Sequence, residues 1–237
     1  MRQNITEVSV LKVRIRFSKT GALVYIGHLD VMRYFQKLFR RSKIPVAYSE
    51  GFSPHQILSF TPPLPLGLES FGEYADVEIT GSVKSEDALK KLRANSVPEI
   101  EILSFRELPD KCDNAMASVN AAGYRIYFDG RIEGDAIKKA VSDFADRDNV
   151  MVVKKTKKNE TVTDLKPLVY ELEYDESESA LKMLISSGSR NNIKPELVLS
   201  ELIPDTDPKL FRTERTDQYT LYDGRFISLD EIGIDIT

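Results

Sequence analysis

The chain has 237 residues, 41% hydrophobic and 30% charged, with a formal net charge of −4. That length predicts one or two domains able to bury a core without a metal or disulfide, and the apolar share excludes a disordered chain. One cysteine, Cys112, and two histidines, His28 and His55, exclude a disulfide scaffold and leave no ligand set for an iron–sulfur cluster, a zinc site or any histidine-rich metal centre within the chain.

Val10–Phe17 reads V-L-K-V-R-I-R-F, with Val13, Ile15 and Phe17 alternating against Lys12, Arg14 and Arg16. Period two predicts a half-buried strand with one basic face, followed by a turn at Ser18–Gly21. Gly27–Lys43 has helical spacing, with Leu29, Met32, Phe35, Leu38 and Phe39 on the buried side. Arg33, Lys37, Arg40 and Arg41 fall in one sector on the opposite side, and Ile44-Pro45 ends the helix. Val46–Ser59 is broken by Gly51, Ser53 and Pro54 and predicts a bent strand or a loop between two short strands. Pro62, Pro63 and Pro65 make a stiff extended connection, and Gly67–Gly72 reads as a loop. Tyr74–Ile79 alternates as a strand. Ser85 is the expected N-cap of a helix reaching Asn95, with Glu86 and Asp87 in its first turn, and Ile100–Leu108 is another strand.

Strand, helix, strand, strand, helix, strand is the split βαβ order of ferredoxin-like domains. The second half repeats it less regularly. Tyr124–Phe128, Val150–Lys155, Leu168–Tyr174, Leu181–Ser186 and Gln218–Tyr222 read as strands, and Glu133–Asp146 and Pro195–Leu202 as helices. Asp223-Gly224 is a turn into Phe226–Leu229. The expected fold is therefore α+β: tandem ferredoxin-like units, antiparallel sheets with helices on one face, the second unit elaborated. A basic N-terminal domain would span residues 1–110. An acidic, strand-rich domain, a degenerate second unit, would span 111–237, with the boundary in Pro109–Asn120. No apolar run approaches the roughly 18 residues of a membrane span. Met1–Thr6 lacks the apolar core of a secretory signal, so the cytoplasm is the expected compartment and no membrane partner is expected.

The net charge hides an asymmetry. Residues 1–67 hold ten Lys/Arg and three Asp/Glu (net +7), and residues 68–237 hold 23 and 34 (net −11). An anionic partner for the first third follows, unless the charge merely fluctuates along the chain. Arg33, Lys37, Arg40 and Arg41, with Arg14 and Arg16 nearby, would neutralise phosphates. The lysine run Lys154–Asn159 adds little. Tyr48-Ser49-Glu50-Gly51-Phe52-Ser53-Pro54-His55 gathers hydroxyls, an imidazole and two aromatics, a composition able to bind phosphate through Ser49 and Ser53 and to stack bases on Tyr48 or Phe52. The alternative is a turn whose aromatics belong to the core. His28, at a helix N-terminus, is expected neutral, and either serves as a general base or closes the helix start. A Ser–His nucleophile pair in the 48–55 segment lacks an orienting acid. Phosphate-loop, Rossmann, nucleophile-elbow and metalloprotease motifs are missing.

The runs R-I-R-F-S-K-T-G, G-H-L-D-V-M-R, P-V-A-Y-S-E-G-F-S-P-H, S-F-T-P-P-L-P-L-G-L-E-S and E-Y-A-D-V-E occupy residues 13–79. Together they resemble the radical SAM-linked family of bacterial proteins, a domain of unknown function. The resemblance implies a radical SAM partner enzyme of the cobalamin type and supplies no catalytic residues. Without a three-cysteine motif, this chain is not itself a radical SAM enzyme. A looser architectural similarity, tandem ferredoxin-like halves with a histidine near the first helix, is to CRISPR RAMP-type endoribonucleases. The leading expectation is an accessory RNA-binding module with no cofactor of its own. The alternatives are a metal-independent endoribonuclease using His28 or His55, and a protein–protein interaction module that docks its partner without RNA.

Overall fold

A computed structural model describes residues 10–155, 160–189, 191–207 and 210–237. The chain is α+β and forms two compact units. One runs to Ser118 and takes back Ile227–Thr237, and the other is Val119–Phe226. The division falls inside Pro109–Asn120. The tail, expected with the second domain, belongs instead to the first. Its strand Ile234–Asp235 pairs with Glu107 and Arg106, and Ile236 is buried in the first unit's core.

The first unit contains β1 (Val10–Lys19), α1 (His28–Ser42), β2 (Leu58–Phe60), β3 (Glu69–Thr80), α2 (Ser85–Asn95), β4 (Ile102–Glu107) and the single turn α3 (Ala115–Ser118). Its strands lie in the order Ile234–Asp235, β4, β1, β3, β2, every adjacent pair antiparallel. One face of β1 and β3, carrying Val13, Ile15, Phe17, Ala75, Val77 and Ile79, packs with Phe35, Leu38 and Phe39 of α1 and Ala88 and Leu92 of α2. The Phe35 ring lies 4.6 Å from Phe17 and 5.5 Å from Phe60. Burying each such side chain contributes about 1.5–3 kcal/mol. Lys43 stops α1 by turning left-handed (φ 54°), and Pro45 prevents the helix from resuming.

Several expectations are corrected here. The β1 ladder continues through Ser18 and Lys19, and a 3-10 turn, Gly21–Tyr25, follows in place of the expected turn. β3 starts at Glu69, because Ser70 pairs with Lys19, so Gly67–Gly72 is not wholly a loop. Leu29 is 64% exposed and Val31 takes its place in the core. Lys84, not Ser85, is the cap of α2. The Ser85 hydroxyl donates to the Phe105 carbonyl (2.6 Å) and accepts the Ile236 N–H (2.8 Å), tying the tail to the core. Val46 and Tyr48 form single bridges to Ile79 and Gln56, so the 46–59 segment is a loop between two short extended stretches.

In the second unit come β5 (Ala121–Phe128), α4 (Gly134–Ala145), the hairpin β6 (Met151–Lys155) and β7 (Glu160–Asp164), β8 (Val169–Asp175), β9 (Ala180–Ser186), α5 (Pro195–Leu202) and β10 (Phe211–Tyr222). Strand order is β10, β5, β9, β8, again antiparallel at each pairing. β10 is far longer than the expected Gln218–Tyr222, because its polar residues Glu214, Arg215 and Asp217 are buried and mask the period. Most of the Lys154–Asn159 run lies outside the described residues. Asp223-Gly224 turns into β11 (Arg225–Ser228), which leads the chain back to the first unit. No helix among the described residues is long and apolar enough to cross a membrane.

Candidate nucleic-acid interface

α1 presents its cations as its spacing requires. Arg33, Lys37, Arg40 and Arg41 are all exposed, while Phe35, Leu38 and Phe39 anchor the opposite side. Arg33 pairs with Asp30 at 3.2 Å, one turn earlier. Arg40 Nε donates to the Gln36 carbonyl, and Arg41 reaches the Asn95 carbonyl with its guanidinium 6.0 Å from the Tyr34 ring centre. These bonds to neutral carbonyls fix the side chains and leave their charge uncompensated. Among the described residues, only Arg33 of the four meets a carboxylate.

The 48–55 segment is a loop held at its base. Ser49 N–H donates to the His55 carbonyl (2.8 Å). The Ser49 hydroxyl shares a 2.8 Å hydrogen bond with His55 Nδ1 and accepts the His55 backbone N–H at 3.1 Å. Gly51 lies at φ 109°, a region that side chains rarely adopt, which sets the tip. Phe52 and Ser53 stand out in solvent, Phe52 completely, and half the Tyr48 surface is exposed. These aromatics are therefore not core.

β1 carries the main correction. Arg14 is 1% exposed, so it cannot reach a phosphate. Its guanidinium clamps Asp76 through two bonds of 2.8 and 2.9 Å and also donates to the Asp113 carbonyl and the Ser118 hydroxyl. Burial opposes its charge, but the bonds to Asp76 raise its pKa. The basic face of β1 lies against the acidic residues of β3: Lys12 faces Glu78 and Arg14 faces Asp76. Arg16 is half-buried and donates to the Phe71 carbonyl.

His28 opens α1 beside β2, its ring edge-on to Phe60 at 5.7 Å. Burial lowers its pKa, Lys19 assists and Glu73 opposes, so the imidazole is neutral near pH 7. Lys19 and Glu73 are both buried. Lys19 donates to the Ile26 carbonyl (3.1 Å), and Glu73 accepts from the Ser70 hydroxyl (2.7 Å). With Phe17, Thr61 and Leu64 they line a cavity of about 20 Å³, room for one water. Sequence reasoning missed Lys19 and Glu73. Their signal was their position in the runs S-K-T-G and E-Y-A-D-V-E, which bracket the histidine motif.

No curated protein matches the chain. Among solved structures, one titled "Crystal Structure of a Cbf5-Nop10-Gar1 Complex" aligns with 87% of this chain at 10% identity and a TM-score of 0.47. The chain spans about half, 48%, of that structure's matched chain. The family model for the uncharacterised proteins conserved in bacteria called DUF2344 matches residues 12–195, and the chain belongs to that family.

Proposed function

We propose that the chain is an accessory RNA-binding module acting beside a cobalamin-type radical SAM enzyme, in RNA modification or processing. The observation that carries the RNA reading is the exposed cationic face of α1, of whose four cations only Arg33 meets a carboxylate among the described residues. The projecting loop with Tyr48 and Phe52 adds exposed stacking surfaces on the same unit. The radical SAM partner rests on the resemblance of the motifs in residues 13–79. We read each unit as a split βαβ, ferredoxin-like fold. The repeated strand order supports this, β4-β1-β3-β2 in one unit and β10-β5-β9-β8 in the other, with β6–β7 as the elaboration.

Fluorescence anisotropy with bulk tRNA and rRNA fragments, across a salt series in EDTA, tests the proposal. Binding should weaken steeply with salt. Changing Arg33, Lys37 and Arg40 together to Gln should flatten the salt slope by about 2–3, at roughly 0.7–0.9 per lost phosphate contact. Weak, flat binding by the native chain would reject the RNA reading and direct the search to protein partners.

The neutral His28 beside Lys19 and Glu73 favours a second reading, metal-independent RNA cleavage with His28 as base. Denaturing gels of the same samples decide it. RNA shortened in EDTA by the native chain, and left intact by His28→Ala, would make the protein an endoribonuclease. The Ser49–His55 pair offers His55→Ala as the parallel variant.

A further inference from the structure

The second unit holds a groove of about 520 Å³ across β5, β8, β9 and β10, remote in sequence from every residue assigned above. Its floor is set by register. Gly123 stands opposite Leu184, which stands opposite Glu171, and Arg125, Lys182 and Glu173 form the next row. A Cβ at position 123 would lie 2.8 Å from the Thr216 hydroxyl and 3.3 Å from the Tyr219 ring. Glycine there lets Tyr219 lie close over the sheet and form one wall. Phe226 forms another, braced from behind by Tyr170 at 4.5 Å between ring centres.

The charges around this groove do not balance. Lys182 Nζ is held by Asp175 (2.5 Å) and Glu178 (2.9 Å), and Arg125 Nε by Glu178 (2.8 Å). Both cations are thus occupied at the tip of the β8–β9 hairpin. Glu171 and Glu173 are left, exposed on the groove side, with no cation in salt-bridge range among the described residues. Carboxylates and aromatic walls lining one groove match a group that is positive and partly apolar. Ammonium and guanidinium gain from both the charge and the ring faces, whereas an anion would meet two unpaired carboxylates.

We infer that this groove is a binding site for an organic cation, an ammonium or guanidinium group seated between Tyr219 and Phe226 and held by Glu171 and Glu173. This site is independent of RNA binding by α1. Two sources of that chemistry are separable by probe: spermidine for a free polyamine, and N-acetyl-arginine amide for a basic side chain.

Each probe would be titrated into the full-length protein by calorimetry at fixed moderate salt. Saturable binding of at least one is expected, and the tighter probe identifies the source. Glu171→Gln with Glu173→Gln should weaken it about tenfold or more, and Tyr219→Leu by several-fold, with unchanged far-UV dichroism and melting temperature. The control pair Glu196→Gln and Asp223→Asn, acids outside the groove, should leave affinity within twofold. Equal loss in the control pair, undiminished binding in the groove variants, or no saturable binding of either probe would overturn the inference. If Tyr219→Leu fails to fold, Phe226→Leu replaces it as the wall variant.

Discussion

Arg14 joins β1, β3 and α3 of the first unit through one buried guanidinium. Four hydrogen bonds leave it, two to Asp76, one to the Asp113 carbonyl ahead of α3 and one to the Ser118 hydroxyl within it. Removing one partner of such a pair strands a charge in a place water does not reach, at a cost of about 3–5 kcal/mol. Arg14→Met should therefore lower the denaturant midpoint sharply, and Asp76→Leu added to it should restore part of the loss. Chemical denaturation of the two variants checks this. His28 predicts a pH effect of definite sign. In the unfolded chain it titrates near the ordinary value of about 6.5, while burial holds the folded value lower. As pH falls through 6.5 the unfolded state gains a proton that the folded state refuses, so stability drops until the folded pKa is reached. His28→Gln should flatten the melting temperature across that window, read by calorimetry between pH 7.5 and 5. His55 lies exposed in its loop and does not share this burial.

Among the elements, α1 was the most legible in sequence, because its apolar and basic residues obey one period over fifteen positions. β1 was legible as a strand but misread in its environment. Alternation of Val13, Ile15 and Phe17 with Lys12, Arg14 and Arg16 ordinarily means one wet face. Here Ser118 and Asp113 close over Arg14, and no local pattern announces a contact more than ninety residues away. The Tyr48–His55 loop was legible in composition, but composition alone left open whether its aromatics were core or surface. The end of α1 also yields a prediction. Lys43 holds a left-handed conformation that costs a non-glycine residue roughly 1–2 kcal/mol. Lys43→Gly should raise unfolding free energy by up to about 1 kcal/mol, since glycine's extra unfolded entropy cancels part of the relief. Because Lys43 lies beyond the cationic sector, its RNA salt slope should stay within one phosphate contact of the native chain, measured by anisotropy.

At the scale of the whole molecule the two units share a strand order and differ in what they expose. In the first, α1 carries four of the ten cations of residues 1–67, Arg33, Lys37, Arg40 and Arg41, all exposed. In the second, β8 and its turn carry Glu171, Glu173, Asp175, Glu176 and Glu178. The charge division read from sequence does not become a division between the units: the first holds 16 Lys/Arg and 17 Asp/Glu (net −1) and the second 17 and 20 (net −3), so the cationic character is local to α1. The tail was beyond reach from sequence, since Ile234 and Asp235 are too short a run to declare their partner strand. Its contribution is measurable. Ile236→Ala should destabilise the first unit by about 2–4 kcal/mol, through a cavity beside α2 and the Ser85 anchor. Hydrogen exchange should locate the loss in β1, β4 and α2, with β5 and β9 unchanged.

That returning tail also orders events during synthesis. The ribosome delivers β1 to α3 first, yet the residues that complete their fold, Leu229, Ile234 and Ile236, leave it only after Val119–Phe226. All of Val119–Phe226 is made in between, and the ladder β10-β5-β9-β8 draws no strand from the tail. Domains emerging from the ribosome ordinarily fold N-terminal first. Here the later-made unit matures earlier, and the unit that carries α1 completes its fold only once residues 234–236 have emerged.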